Sequence, residues 1–211
     1  METFSIKRIS EDIIFLKCNR FGSNVYIINK EDGIFVIDSS LSRFKTSLKR
    51  IFSELNISLS SVKAVFNTHE HYDHIGNSTL FEAPKIMSKK TPSNISKYSL
   101  GYNYERNPFE IKRVTEGTYY GFNLIFTPGH TSSGICLNYD NYLIVGDTLF
   151  EEGIARTDFP NSSKKHLLNS FKKIKKKIGD KKDLLVLPGH GDVFKLENHI
   201  NRSIKNLKSN L

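Results

Sequence analysis

The chain has 211 residues, 38% of them hydrophobic and 25% charged, with a formal net charge of +9. That length fits one domain, expected over residues 1–211, with a core that needs no covalent staples. No apolar run approaches the ~18 residues of a membrane span, and Met1-Glu2-Thr3-Phe4-Ser5-Ile6-Lys7-Arg8 lacks the basic-then-apolar layout of a secretory leader, so the expectation is a cytoplasmic protein without membrane association.

In chain order, Asp12 to Lys17 reads as a strand. Asn24–Asn29 and Ile34–Asp38 read as a hairpin turning at Glu31-Asp32-Gly33, because Asp-Gly supplies the backbone such turns need. Ser42 to Leu55 reads as a helix, with Phe44, Leu48, Ile51, Phe52 and Leu55 at three- and four-residue steps. Val62–Phe66 is a short apolar strand ending at the polar cluster Asn67 to His74. Leu80–Met87 and Thr91–Tyr104 carry no clear period. Phe122–Phe126 is a strand, and Ile135–Tyr139 with Tyr142–Val145 forms a second hairpin at Asp140-Asn141.

Further on, Leu167, Leu168, Phe171, Ile174 and Ile178 mark an amphipathic helix, capped at Ser162 or Ser163 and stopped at Gly179. Its surroundings are strongly basic: Lys164, Lys165, Lys172, Lys173, Lys175, Lys176, Lys177, Lys181 and Lys182. These read first as solvated faces, with a nucleic acid or other acidic surface as the alternative. Leu184–Leu187 is a buried-type strand, and a last helix starts near Glu197. Strand clusters alternating twice with helices indicate a layered α/β or α+β architecture.

Five of the seven histidines fall just after strand-like runs: His69, His71, His74, His130 and His190. Loops on a rigid scaffold carry function. His166 and His199 lie on helices and read as ordinary surface or partly buried residues. Thr68-His69-Glu70-His71-Tyr72-Asp73-His74 is the sharpest segment, with three imidazoles and the Asp73 carboxylate, besides Glu70, in six residues. These are the ligand types that borderline divalent metals take. In an extended loop His69 and His71 face one side, while Asp73 and His74 follow a bend. Thr127-Pro128-Gly129-His130-Thr131, Val145-Gly146-Asp147-Thr148 and Pro188-Gly189-His190-Gly191 repeat the theme of a strand ending in a ligand.

The order H-x-H-x-D-H, P-G-H-T, G-D-T, P-G-H-G, running from Val62 to about Gly191, resembles the metallo-β-lactamase superfamily. The resemblance implies an αββα four-layer sandwich, the metallo-β-lactamase fold. It also implies two divalent metal ions, expected to be Zn2+ with Fe as the alternative. His69, His71 and His130 would hold the first, Asp73, His74 and His190 the second, and Asp147 would bridge them. Two such cations ~3.5–4 Å apart lower the pKa of a shared water toward ~7, giving a hydrolase that attacks with a metal-bridging hydroxide. Asp73 would be the catalytic carboxylate that orients that water or accepts its proton.

Asp147-Thr148-Leu149-Phe150 followed by Gly153-Ile154-Ala155-Arg156-Thr157-Asp158-Phe159-Pro160 is similar to a stretch of glyoxalase II-like (hydroxyacylglutathione hydrolase-like) thioesterases and persulfide dioxygenases, with Ala155 in place of the usual glycine. Arg156 would pair with Asp158 or contact an anionic substrate. The first reading is therefore a dinuclear zinc thioesterase acting on a small-molecule thioester. A C-terminal helical domain for glutathione, present in full-length glyoxalase II, has no room after Gly191, which leaves the thiol open. The alternatives are a mononuclear iron persulfide dioxygenase using His69, His130 and Asp147, a metal-dependent phosphodiesterase or nuclease, a lactonase, a β-lactamase and a scaffold with a dead site. Thr91 to Phe109, rich in Ser, Asn and Tyr, is the candidate substrate loop. Tyr72, Tyr98, Tyr102, Tyr104, Tyr119 and Tyr120 are candidate pocket residues, and Cys18 and Cys136 read as core residues.

Overall fold

A computed structural model describes residues 2–93, 95, 109–179, 181 and 183–209. Contacts divide the chain into two compact units, one formed by Met1–Met87 and Thr91–Val114, the other by Ser88–Lys90 and Thr115–Leu211.

The first unit is built on a sheet whose strands lie in sequence order: β1 (Phe4–Arg8), β2 (Ile13–Cys18), β3 (Val25–Lys30), β4 (Gly33–Ile37), β5 (Val62–Phe66), β6 (Lys85–Ser88) and β7 (Ile111–Val114). Strands β1 to β4 form an antiparallel meander. Lys30 pairs with Gly33 across Glu31-Asp32, so the first hairpin forms as expected. β4, β5 and β6 run parallel, which demands a crossover. Helix α1 (Lys45–Glu54), entered through a 3₁₀ turn at Ser42–Phe44, supplies the one between β4 and β5. Its Leu48, Ile51 and Phe52 bury against Ile14, Leu16, Val25, Ile27, Val36 and Val65. Each such side chain contributes roughly 1.5–3 kcal/mol of apolar transfer. The alternate positions, among them Ile13, Phe15, Tyr26, Ile28 and Phe35, are buried as well. Burial on both faces explains why these strands read as continuous apolar runs. A single turn of helix, α2 (Tyr72–Ile75), follows the loop after β5.

The second unit holds β8 (Gly117–Tyr119), β9 (Phe122–Phe126), β10 (Ile135–Tyr139), β11 (Tyr142–Gly146), β12 (Leu185–Pro188) and β13 (Phe194–Lys195), in the order β13-β12-β11-β10-β9-β8. β11 and β12 are parallel, and α3 (Lys164–Ile178) crosses between them. Ser163 caps α3 by accepting from the His166 N–H at 3.3 Å, and Gly179 ends it at φ 65°. Leu167, Leu168, Phe171, Ile174 and Ile178 bury with Ile125, Cys136, Leu143, Val145 and Val186. Helix α4 (His199–Ser209) adds Ile200 and Leu207 to the same cluster.

Four strands depart from expectation. β1 gives no sequence signal because only Phe4 of its five residues is buried. The short β7, β8 and β13 lack the length for a visible alternation. Leu80–Met87 resolves into the end of a 3₁₀ turn and the start of β6. The final helix begins at His199, two residues later than expected. The expected substrate loop, Thr91 to Phe109, lies outside the described residues at 94 and 96–108, and with it Tyr98, Tyr102 and Tyr104. No helix among the described residues is long and apolar enough to cross a membrane.

Glu116 ties β9 to α3. Its carboxylate accepts from the Phe126 N–H at 2.7 Å and from Lys173 at 2.9 Å, with Lys177 at 3.8 Å. Burial alone would raise its pKa, but the Lys173 and Phe126 hydrogen bonds and the two ammonium charges outweigh this and hold it below the usual value. A depressed carboxyl stabilises the fold above its unfolded-state pKa of about 4.3, and that contribution fades as pH falls through the lower folded value. Glu116→Gln should therefore lower the melting temperature at neutral pH. The gap from the parent should shrink on acidification below about pH 4, which melting curves across a pH series would show.

Candidate functional site

In the first unit the site begins with parallel pairing. Ile37 of β4 lies opposite Phe66 of β5, so the residues after both strands emerge at the same end of the sheet. Asp38 donates its N–H to the Phe66 carbonyl at 2.9 Å and adopts a left-handed backbone at φ 56°. Its buried carboxylate then accepts three hydrogen bonds: from the Thr68 N–H at 2.8 Å, the Thr68 hydroxyl at 2.8 Å and His74 Nδ1 at 2.7 Å. A non-glycine residue held at positive φ is costly, and sites that must aim a side chain are where such a cost persists.

Thr68 to Glu70 form a bend where an extended loop was expected; only His71 has an extended backbone before the chain turns into α2, which carries Asp73 and His74. The His74 carbonyl accepts from the Ser39 N–H at 2.7 Å, the Ser39 hydroxyl at 3.0 Å and Asn67 Nδ2 at 3.2 Å. A Cβ on Gly76 would lie 2.5 Å from the Ser42 nitrogen and 2.6 Å from the Ser40 carbonyl oxygen, so the loop closes on backbone there. The rings of His69 and His71 sit 4.6 Å apart and those of His69 and His74 4.0 Å apart, centroid to centroid. Asp73 Oδ2 is 3.8 Å from His74 Nε2. All four residues singled out in this segment are thus brought together.

In the second unit the same logic recurs. β9 and β11 both run antiparallel to β10, and β12 runs parallel to β11, so the loops after β9, β11 and β12 leave one edge of the sheet. They carry His130, Asp147 and His190. His130 Nε2 and His190 Nε2 each lie 3.5 Å from Asp147 Oδ2. The Pro128-Gly129-His130 turn is fixed from α3: Ser163 donates its N–H to the Gly129 carbonyl at 2.7 Å, and Ser170 its hydroxyl to the Pro128 carbonyl at 2.7 Å.

Hydrogen-bond partners assign the ring tautomers. A carboxylate only accepts, so His74 Nδ1 carries a proton toward Asp38. The Thr68 hydroxyl gives its one proton to Asp38, so at 3.1 Å it accepts from His69 Nδ1. His130 Nδ1 donates to the Arg156 carbonyl at 2.9 Å. In all three rings Nε2 is the lone-pair nitrogen of the neutral form. His74 Nε2 then faces Asp73, and His130 Nε2 faces Asp147. Either a second proton on the ring or a metal cation held at Nε2 makes each of these contacts attractive. Imidazole nitrogen plus carboxylate oxygen, with no thiolate, is the donor set of a divalent first-row metal. Backbone or carboxylate partners on the far ring nitrogen are the usual support for such ligands.

Asp38 and the Arg156 carbonyl were not singled out from sequence. Asp38 follows the apolar run Ile34–Ile37 just as Asp147 follows β11, which is the signal that pointed to it. Replacing Asp38 with asparagine should lower metal affinity and turnover about 10- to 100-fold, the usual cost of losing a carboxylate behind a ligating histidine; a metal-competition titration measures it directly.

Arg156 makes a two-pronged contact with Asp158, Nε to Oδ1 at 3.0 Å and NH2 to Oδ2 at 2.7 Å, and its guanidinium lies 4.7 Å from the centre of the Phe159 ring. The pair raises the Arg156 pKa and lowers that of Asp158. Cys136 is fully buried, and burial pushes its thiol up to about 11, so it is an inert core residue. Cys18 is half-buried. His166 is exposed, and His199 is buried with its Nδ1 on the Leu196 carbonyl at 2.6 Å. Tyr72 is buried, and its hydroxyl meets that of Ser42.

Comparison with known proteins finds metallo-hydrolases and proteins of similar fold. The chain is 28% identical over 196 residues to the probable metallo-hydrolase MJ0888 of Methanocaldococcus jannaschii, covering 85% of this chain and 94% of the relative. It is 25% identical over 156 residues to the hydroxyacylglutathione hydrolase GloC of Haemophilus influenzae, covering 65% and 71%. Among solved structures, TTHA1623 in a di-iron-bound form superposes with a TM-score of 0.70 at 23% identity, over 85% of this chain and 93% of that one. ETHE1 from Myxococcus xanthus gives 0.66 at 25% identity, over 92% and 84%. The layered α/β fold expected from sequence is therefore the one the chain has. The family model for the metallo-β-lactamase superfamily matches residues 18–190, most of the chain and every histidine-bearing loop described above, and the chain belongs to that superfamily.

Proposed function

We propose that the protein is a metal-dependent hydrolase of small-molecule thioesters. In this reading His69, His71, Asp73 and His74 with His130, Asp147 and His190 would hold two divalent cations, zinc in the first instance, and Asp147 would serve as a ligand common to both. The observation that carries the proposal is the set of hydrogen-bond partners on three ring Nδ1 atoms. His69, His74 and His130 have their Nδ1 protons committed to Thr68, Asp38 and the Arg156 carbonyl, and so turn Nε2 outward as a donor. Bound there, two divalent cations supply Lewis acidity toward a carbonyl and bring the pKa of water down toward about 7.

The remaining work falls to side chains. Asp38 and Thr68 hold the ring orientations of His74 and His69. The Arg156 carbonyl does the same for His130, while the Arg156 guanidinium is steadied by Asp158 beside Phe159. Asp73, whose side chain is 32% exposed, is the solvent-accessible carboxylate of the first set and accepts the proton of the attacking water. The likeness to GloC supports the thioester assignment.

A second reading, iron-dependent oxygenation of a persulfide, is favoured by the structural likeness to ETHE1. One experiment separates them. Protein loaded with zinc and, separately, with iron is assayed for hydrolysis of S-lactoylglutathione and for oxygen uptake with glutathione persulfide. Hydrolysis by the zinc form without oxygen uptake by the iron form supports the proposal; the reverse pattern replaces it with the second reading.

A further inference from the structure

We infer that the solvent face of α3 and α4 is a docking surface for the phosphodiester backbone of a nucleic acid. Helix α3 carries seven lysines and no acid, and α4 carries Arg202, Lys205 and Lys208 and no acid. With a whole-chain formal charge of +9, these ten cations exceed the total, and the remainder of the chain sums to −1. The basic character of the protein is thus concentrated on two helices that pack side by side, joined by a Lys175–Asn201 hydrogen bond at 2.9 Å.

The placement works against helix stability. Lys164 and Lys165 open α3, where the macrodipole favours acids. Lys172 and Lys176, and Lys173 and Lys177, are like-charge pairs at four-residue spacing, each costing roughly 0.2–0.5 kcal/mol. Glu116 offsets Lys173 and Lys177. A sequence that breaks a local rule so repeatedly on one exposed face points to a partner that supplies the missing negative charge.

Geometry selects the partner. Exposed Lys165, Lys172 and Lys176 fall on one row of α3 spanning about 16 Å at 1.5 Å per residue. Arg202, Lys205 and Lys208 make a second exposed row on α4. Duplex nucleic acid presents one charge per ~1.7 Å of axis, a linear match to such rows. A membrane surface engaged by insertion would call for apolar side chains turned outward. Here the apolar residues Leu167, Leu168, Phe171, Ile174 and Ile178 are buried, and the exposed large hydrophobics among the described residues, Ile6 and Phe21, lie on neither helix. Lysines act as point charges and make no planar two-pronged base contact, so binding is independent of sequence.

The test uses the full chain and a fluorescein-labelled 20-base-pair duplex DNA of arbitrary sequence, with binding followed by polarisation from 50 to 200 mM salt. A triple variant, Lys165→Gln, Lys172→Gln and Lys176→Gln, is compared with an equally neutralised control, Lys45→Gln, Lys49→Gln and Lys63→Gln. The expected result is salt-dependent binding by the parent. The α3 variant should lose at least about 10-fold in affinity and about 2–3 in the slope of log K against log salt. The control should stay within about 2-fold, and the α3 variant should melt no lower than the parent because like-charge contacts are relieved. Absence of salt-dependent binding, equal weakening by both variants, tighter association with phosphatidylserine vesicles than with the duplex, or a lowered melting temperature of the α3 variant would each overturn the inference. Thioester turnover is unaffected by either triple variant, so this result stands or falls apart from the proposed hydrolase activity.

Discussion

Asp147→Ala is expected to reduce kcat/KM by at least about 10³, some 4 kcal/mol of transition-state stabilisation, and to lower the bound metal below the parent's level. Asp147 is the only carboxylate that the second unit places between His130 and His190 among the described residues, each at 3.5 Å from the same oxygen. In the proposed site, removing it would leave two imidazoles without the anion that would balance a shared cation. Asp147→Asn keeps the shape but removes the charge, and should fall nearly as far. Side-by-side kinetics and elemental analysis of the two variants distinguish a charge requirement from a packing one. An asparagine variant with parental turnover would show that Asp147 is not a metal ligand.

Gly129→Ala is the second large effect. A Cβ at this position would lie 2.5 Å from Leu167 Cβ and 2.6 Å from Leu167 Cα. Leu167 is fully buried on α3, and its helix is held by a run of core side chains, so neither partner can yield cheaply. Either α3 lifts or the turn opens, and the turn carries His130. We expect about 3 kcal/mol or more of lost stability, combining overpacking with backbone displacement, together with weakened metal retention. Gly153→Ala is the matched control. Gly153 has φ +87°, and an added Cβ there would meet nothing within 4 Å, so it tests backbone strain without a clash and should cost about 1–2 kcal/mol. Chemical denaturation of both variants would reveal the difference; equal losses would mean that the contact with Leu167 is not what fixes the turn.

Much of the candidate site could be read from sequence because its histidines and aspartates sit where an apolar strand ends. β5, β9, β11 and β12 each announce themselves by Val, Ile, Leu and Phe, and the next few residues carry a histidine or aspartate. Helices α1 and α3 are equally plain, since their buried residues recur with the helical period. What stays hidden depends on pairing at a distance or on backbone atoms. Asp38 reaches Thr68 and His74 only because β4 and β5 run parallel, thirty residues apart, and no local window contains that fact. The carbonyl that orients His130 belongs to Arg156, whose side chain draws attention for another reason, and a carbonyl leaves no trace in residue identity. β1 escapes notice because its four residues after Phe4 are not buried, so it lacks the two-residue alternation by which a strand is recognised.

The proposed chemistry requires two ligand sets to share one pair of cations. Crystals of protein loaded with zinc, measured on either side of the zinc absorption edge, test this most directly. The predicted result is two anomalous peaks about 3.5–4 Å apart, with Asp147 touching both, His69, His71 and His130 on one, and Asp73, His74 and His190 on the other. A single peak, or two peaks each bounded by the residues of one unit alone, would contradict it.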